Sequence, residues 1–274
     1  EDKKKRHPSC DLVREQLERY FPIDREYIQN YCINKIAQEE LLKRKNISSK
    51  LLHDTFDFTQ TQWSRKKHIA DYLQEKGVDE NSIIVLQATR VVRRKCIEIA
   101  IDLVKQLEQR KDEIKGKLYN GKNFDKSKSK FHLVLSGYVE KRDKEYLEEL
   151  RKYAKELGIY LTYLGDDIDE RYNLFEIYPF ADIVTYPSQY EGFGNQVLEA
   201  VFAKKPIVLF EYPTFKTDIL NTGIRYISLG DRMRKKRGEN LFEVGKGKLN
   251  LAVSEVFDVL QNKEKYDMYT DNSF

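Results

Sequence analysis

The sequence has 274 residues, of which 40% are hydrophobic and 12% aromatic, enough for one large domain or about two. Its 49 Lys and Arg nearly balance 45 Asp and Glu, so the formal net charge is only +4. This composition excludes a disordered or fibrous chain, which has few apolar residues and a large net charge. No apolar run approaches the roughly 18 residues of a membrane-spanning helix.

The three cysteines, Cys10, Cys32 and Cys96, lie far apart and form no CxxC pair. They indicate neither a zinc ribbon nor a disulfide framework, so a reducing, cytoplasmic location is expected. The chain starts at Glu1 with a charged run, and no apolar stretch of the kind found in signal peptides follows it. Such a start is typical of a piece of a longer protein.

Residues 1–80 show mainly helical patterns, with a helical patch at 12–20, an apolar piece at 27–36 and helices at 38–45 and 63–74. One recognisable strand cannot form a sheet by itself. We therefore interpret this region as a cap on the main domain or as the end of a second domain.

From about residue 80 onward, short apolar runs alternate with amphipathic segments, which is the pattern of a parallel sheet with crossover helices. The predicted strands are residues 83–88, 131–136, 160–163, 183–186, 206–210 and 225–228. The predicted helices are residues 95–110, 143–157, 170–180, 195–204 and 249–261. Residues 115–130, rich in Lys, Gly, Asn and Ser, are expected to be a helix end and a mobile surface insertion. The sequence therefore predicts the α/β fold class.

The most informative segment is residues 186–200, which the pattern divides into a strand, a glycine-containing loop and a helix. Gly192 and Gly194 let the backbone approach a ligand closely, and the start of a helix offers unpaired N–H groups to an anion. Glu191 and Glu199 bracket this turn. The arrangement fits a phosphorylated sugar, with the diphosphate on the N–H groups, Glu191 near sugar hydroxyls and Glu199 on a ribose diol.

A second segment, residues 87–95, also follows a predicted strand and opens a helix. Arg90 and Lys95 could converge on one pyrophosphate, Arg as a planar fork and Lys as a point charge. Arg93 and Arg94 are expected on a solvated helix start instead. Both segments lie at carboxyl ends of predicted parallel strands, where open α/β sheets bind ligands.

Residues 191–199 resemble the acid, seven residues, acid signature of retaining GT-B glycosyltransferases. Together with Arg90 and Lys95 they make the chain resemble glycosyltransferase family 4 over about residues 30–262. Other pieces that fall in the family's order and spacing are Gly137 and residues 164–165, 181–182, 187–188 and 205–208.

This resemblance implies a Rossmann-like parallel sheet with flanking helices, the donor-binding carboxyl-terminal domain of the GT-B fold, at residues 81–274. Residues 1–80 would be the remnant of an acceptor-binding amino-terminal domain with its linker, most of that domain being absent. The carboxyl end, at residues 271–274, would stop before the family's closing helix.

The resemblance also implies a retaining transfer of a hexose from a nucleotide diphosphate sugar to an acceptor hydroxyl, with neither metal nor cofactor. Arg90 and Lys95 would stabilise the departing diphosphate, as a metal does in other transferases. Glu191 would contact the sugar and Glu199 the ribose. The amides implied in donor binding are those of Gly192, Phe193, Gly194 and Asn195. The sequence of residues 185–195 resembles that of a subgroup that acts on glucosylglycerate-type or similar small acceptors.

Cys96 departs from the family pattern, which usually has glycine after the lysine, although a packed, inert thiol is expected. Two other functions stay open, a GT-B-like nucleotide-sugar epimerase and a nucleotide-sugar-binding module without catalysis. The sequence identifies neither the base and sugar of the donor nor the oligomeric state.

Acidic and basic clusters offer further alternatives. Asp166, Asp167 and Asp169 could be the metal-binding acids of the other major glycosyltransferase fold, but a capping turn is expected because Asp favours helix starts. His132 is expected to be structural. The basic runs at residues 3–6 and 232–237 are expected to be solvated loops that bind no nucleic acid, with peripheral membrane contact as an alternative.

Overall fold

The computed structural model describes residues 9–20, 22–119, 122–236, 238 and 240–271. The basic run at residues 3–6 lies outside them, as do residues 272–274 of the predicted chain end. Contacts between residues divide the chain into two compact units, Glu1–Asp54 and Thr55–Phe274.

The described residues of the first unit form two helices and one pair of very short strands. In chain order these elements are α1 (Ser9–Tyr20), β1 (Tyr31–Cys32), α2 (Lys35–Lys45) and β2 (Lys50–Leu51). The strands β1 and β2 pair in parallel. The start of α2 is fixed by Asn34, whose side chain accepts a hydrogen bond of 2.7 Å from the Ala37 amide.

The second unit alternates strands and helices. Its strands are β3 (Ser82–Gln87), β4 (Lys130–Leu135), β5 (Tyr160–Tyr163), β6 (Ile183–Tyr186), β7 (Ile207–Leu209), β8 (Ile227–Ser228), β9 (Met233–Lys235) and β10 (Phe242–Val244). Its helices are α3 (Lys67–Glu75), α4 (Ile97–Gln109), α5 (Lys144–Glu156), α6 (Asn195–Phe202), α7 (Lys246–Gln261) and α8 (Lys263–Thr270).

Strands β3 to β8 form one six-stranded sheet in the order β5-β4-β3-β6-β7-β8, and every neighbouring pair is parallel. All six predicted strands and the predicted α/β class are confirmed. Every residue of β3 is buried, as expected where helices cover both faces of a parallel sheet. The strand order reverses between β3 and β6, which start the two halves of a doubly wound fold, and such a switch point is where these folds bind ligands.

The predicted helix at residues 170–180 is wrong. Two short 3₁₀ turns, Leu174–Glu176 and Tyr178–Phe180, occupy this stretch. Asn173 and Glu176 form a reciprocal capping box around the first turn. Pro179, which has no N–H to donate, stands inside the second turn, so a continuous helix cannot form.

The predicted helix at residues 63–74 begins four residues late, at Lys67. Trp63 lies before it in an aromatic cluster, which we define as Phe56, Phe58, Trp63, Phe175, Tyr178 and Phe202. The Trp63 ring stacks on Phe175 and packs edge-on against Phe202, with ring centroids 4.7 Å apart in both pairs. Residues 55–75 are thus part of the second unit. The prediction had placed the boundary between the two domains at residue 80. The assignment of acceptor and donor domains stays a prediction.

The described part of the insertion at residues 115–130 is anchored to the sheet domain. Leu118 is buried, and the Tyr119 amide donates to the Leu260 carbonyl at 3.0 Å. Lys122 forms an ion pair of 2.6 Å with buried Asp182. The sequence missed these anchors because they depend on contacts with distant segments.

The antiparallel hairpin of β9 and β10 was also not predicted. It contains most of the second basic run, and Arg234 and Lys236 pair with Glu243 and Asp102. Residue 237 lies outside the described residues. Within the described chain, no helix has both the length and the apolar character needed to cross a membrane.

Candidate functional site

Two loops meet at the carboxyl ends of β3 and β6, at the switch point of the sheet. The loop after β3 leads into α4, and the loop after β6 leads into α6. The Gln189 amide donates a hydrogen bond of 2.9 Å to the Arg94 carbonyl, which joins the two loops through their backbones. The two segments singled out in the sequence therefore form one site.

A buried ion pair joins the two loops through their side chains. Lys95 Nζ lies 2.5 Å from Glu191 Oε1, and both side chains are only 8% exposed. Burial by itself raises the pKa of Glu191, but the Lys95 charge and the hydrogen bonds from Lys95 and Arg94 outweigh it and lower the pKa. Glu191 is therefore a carboxylate at neutral pH.

Arg94 lies just before the start of α4 with its side chain 40% exposed, as expected, but it also contacts Glu191. Its Nη1 donates to Glu191 Oε2 at 2.9 Å and to the Tyr190 carbonyl at 2.8 Å. Arg93 points away from Glu191 and forms a bidentate ion pair with Glu149. The sequence could not separate two adjacent arginines because the 3₁₀ turn Arg93–Lys95 determines their directions.

Arg90 lies at the same sheet edge but does not touch Glu191. Its guanidinium donates to Glu140 at 2.8 Å. Burial lowers the pKa of Lys95, and the Arg94 and Arg90 charges act in the same direction. Three cations thus lie close together, with Glu191 holding two of them.

The loop before α6 is shaped by Gly194, whose φ of 128° lies outside the range that side chains favour. A Cβ at this position would lie 2.0 Å from Tyr212 Oη. That hydroxyl donates to the Phe193 carbonyl at 2.7 Å, and the Phe193 side chain is buried. Gly192 and Asn195 are exposed. Because α6 begins at Asn195, the first amides of the helix have no acceptor within the helix itself.

Glu199 lies one turn into α6, where the Tyr178 hydroxyl donates to Glu199 Oε2 at 2.5 Å. Burial raises the pKa of Glu199 above its ordinary value, while the Tyr178 bond and the Lys95 charge oppose that rise. The sequence did not indicate Tyr178, because the stretch around it was predicted as helix.

The backbone at Cys96 has a conformation that favours glycine. Its φ of 47° and ψ of 47° are left-handed, a conformation that costs other residues free energy. The side chain is fully buried, and the thiol lies 3.8 Å from Met233 Sδ. Burial raises the pKa of this thiol to about 12, so it is unreactive at neutral pH, as expected.

The acidic cluster and His132 have structural partners. Asp167 pairs with Lys76 at 2.6 Å and accepts a hydrogen bond of 2.8 Å from Tyr72. Buried His132 lies 2.8 Å from the Thr162 hydroxyl, and burial lowers its pKa to about 4. No group of His, Cys, Asp and Glu within the part of the chain that the structure describes has the arrangement of a metal site.

Two relatives similar to this chain share one name. The chain is 38% identical over 263 residues to a mannosylglucosylglycerate synthase of Petrotoga mobilis, an alignment that covers 93% of this chain and 60% of the relative. It is 39% identical over 269 residues to a protein of the same name from Thermotoga maritima, covering 97% of this chain and 61% of the relative. The chain thus spans about three fifths of the length of these relatives.

A solved structure shares the fold. Alr3699/HepE from Anabaena, in complex with UDP-glucose, aligns with a TM-score of 0.61 and 17% identity, covering 89% of this chain and 57% of that one. A family profile described as glycosyl transferases group 1 matches residues 68–227, more than half of the chain. The α/β sheet, its switch-point loops and this match together show that the chain belongs to the group 1 glycosyl transferases.

Proposed function

We propose that this chain carries the donor-binding part of a family 4 glycosyltransferase, which transfers a hexose from a nucleotide diphosphate sugar with retention of configuration. The observation that carries this proposal is the contact of Lys95 and Arg94 with Glu191, on the loop that leads into α6 at the switch point of the sheet. Cations and helix-start amides are both groups that bind phosphate. The relatives' names, which are those of synthases, favour a transferase over an epimerase or a binding module.

In this proposal the diphosphate lies against Lys95 and Arg94, with Arg90 nearby, and these cations stabilise the negative charge of the leaving group. A metal ion is then not needed for that task. The phosphate would compete with Glu191 for the same cations, so Glu191 would turn toward the sugar hydroxyls when donor binds. Glu199 would accept hydrogen bonds from the ribose.

For the acceptor we propose a small hydroxy acid glycoside of the glucosylglycerate type. The support is the name mannosylglucosylglycerate synthase, shared by two relatives that are 38% and 39% identical to this chain. The donor would then be a nucleotide diphosphate mannose. Product analysis with this donor, supplied as its GDP, UDP or ADP conjugate, tests the pairing, and release of free nucleotide with an isomerised sugar would indicate the epimerase instead.

The test of the donor site is calorimetric titration with UDP, GDP and ADP, first with a chelator and then with Mg²⁺. We expect one nucleotide to bind equally well under both conditions. Glu199→Ala should weaken binding by about 1 to 3 kcal/mol, the range for a hydrogen bond to a charged group. The matched control is Glu75→Ala, an exposed carboxylate paired with Arg171. Binding that requires Mg²⁺, or that Glu199→Ala leaves unchanged, would contradict the proposal.

A further inference from the structure

A second polar side chain on α6 has no role in the site described so far. Gln196, the second residue of the helix, is 4% exposed. Neither its amide nitrogen nor its amide oxygen has a hydrogen-bond partner among the residues that the structure describes. A buried amide without a partner costs free energy comparable to that of a lost hydrogen bond, so such a group calls for an explanation.

The position of Gln196 on α6 suggests an explanation for this buried amide. It precedes Glu199 by three residues on α6, and residues at this spacing lie on the same face of a helix. The Tyr178 hydroxyl donates to Glu199 at 2.5 Å. The Gln196 amide approaches the same hydroxyl and acts to lower its pKa, but without the geometry of a hydrogen bond. Gln196 and Glu199 therefore lie on one face of α6, next to the same hydroxyl.

The chemistry of this pair matches a vicinal diol. A carboxylate only accepts hydrogen bonds, whereas the amide of glutamine has two donors and one acceptor. Each hydroxyl of a diol both donates and accepts. A diol that donates to Glu199 still has oxygen lone pairs, and the amide N–H groups of Gln196 can satisfy them.

We propose that Gln196 is a second contact for the ribose diol of the donor nucleotide and that it sets selectivity for ribose over deoxyribose. This inference rests on the proposed donor site. It assigns to Gln196 the partner that its amide does not have within the described chain. Tyr178 holds Glu199 in place, so that the amide and the carboxylate face the diol together.

The test compares the wild-type chain with Gln196→Leu, which has a similar volume but no polar atoms. The probe is whichever of UDP, GDP and ADP the wild type binds most tightly, together with the 2′,3′-dideoxy form of the same nucleotide. We expect Gln196→Leu to lose about tenfold in affinity for the ribonucleotide, the equivalent of one good hydrogen bond. Its affinity for the dideoxy form should change less than twofold. Gln106→Leu, in the last turn of α4, is the control.

Thermal melting without nucleotide provides a second readout. Because leucine removes a buried amide without a partner, Gln196→Leu should melt at the wild-type temperature or above it. If the leucine variant does not fold, Gln196→Met, which has a flexible side chain of similar length, takes its place in both measurements.

Three results would overturn the inference. Wild-type affinity in Gln196→Leu would make the amide a packing group or one satisfied by water, with the proposed function intact. Equal losses for the ribonucleotide and the dideoxynucleotide would show that Gln196 does not act through the diol. If the wild-type chain binds none of the three nucleotides, the proposed function fails and this inference with it.

Discussion

Replacing Lys95 by methionine tests whether the buried ion pair with Glu191 holds the two loops together. Lys95→Met keeps the length and apolar stem of the side chain but leaves the Glu191 carboxylate with only Arg94, whose side chain is 40% exposed. We expect the free energy of unfolding to fall by about 3 kcal/mol, at the lower end of the range for removing one partner of a buried pair.

This magnitude follows from the geometry of the pair. At the 2.5 Å separation of Lys95 Nζ and Glu191 Oε1, two unit charges attract by roughly 7 kcal/mol at an effective dielectric constant of about 20. Desolvation of two side chains that are only 8% exposed cancels much of this attraction. The remaining Arg94 contact replaces part of it, and solvent screening keeps that contact below about 1 kcal/mol.

The assay is urea unfolding followed by circular dichroism at pH 7, with Arg94→Met as the control, for which a loss below about 1 kcal/mol is expected. A double-mutant cycle with Glu191→Gln isolates the interaction between the two charges. Since the fold lowers the pKa of Glu191, the pair stabilises the protein above pH 4.5 and loses this effect as the pH falls below that value. If Lys95→Met is no less stable than Arg94→Met, or if the cycle gives no coupling, then the ion pair does not hold the two loops together.

Three further predictions concern packing and titration. Gly194→Ala should lower the free energy of unfolding by about 3 kcal/mol or more, because its Cβ would lie 2.0 Å from Tyr212 Oη at a φ of 128°; an unchanged thermal melting curve would contradict this. In a Cys10→Ser background at pH 8, a thiol reagent should modify half-buried Cys32 in the folded chain and leave Cys96, with its raised pKa, unmodified; rapid labelling of both thiols would show that Cys96 is accessible. Because the pKa of His132 falls to about 4 on folding, lowering the pH from 7 to 5 should cost about 2 kcal/mol of stability; urea titrations should show this slope in the wild type and a flatter one in His132→Gln.

The strands of the second unit could be predicted because buried parallel strands are short, continuous runs of β-branched and aromatic residues between helical patterns. The stretch at residues 170–180 could not, since its apolar spacing fits a helix while Pro179 and the capping box at Asn173 divide it into two turns. The start of α3, four residues later than predicted, likewise depends on contacts with distant segments. Trp63 fits a helical pattern but packs against rings that are more than 100 positions away in the chain.

For the candidate site, the sequence predicted that these two loops lie at one edge of the sheet, because both follow the carboxyl ends of parallel strands. Lys95 and Glu191 do meet there, but the sequence could not show that they bind each other. It also did not indicate the contacts of Arg94 and Tyr178 or the buried amide of Gln196. The direction of Arg94 is determined by the 3₁₀ turn Arg93–Lys95, and Tyr178 lies in the stretch that was predicted as helix. The burial of the Gln196 amide depends on the packing of distant segments, and none of these three features produces a pattern in the sequence.

The aromatic cluster determines where the chain can be shortened. A chain cut before residue 81, where the predicted domain boundary lies, would lose Trp63 and Phe56 and expose the faces of Phe202 and Tyr178 that these rings cover. Tyr178 in turn holds Glu199. Such a cut would therefore expose apolar rings to water and loosen the proposed ribose contact at the same time. A cut after Asp54 keeps the cluster whole, so it is the better starting point for isolating the sheet domain.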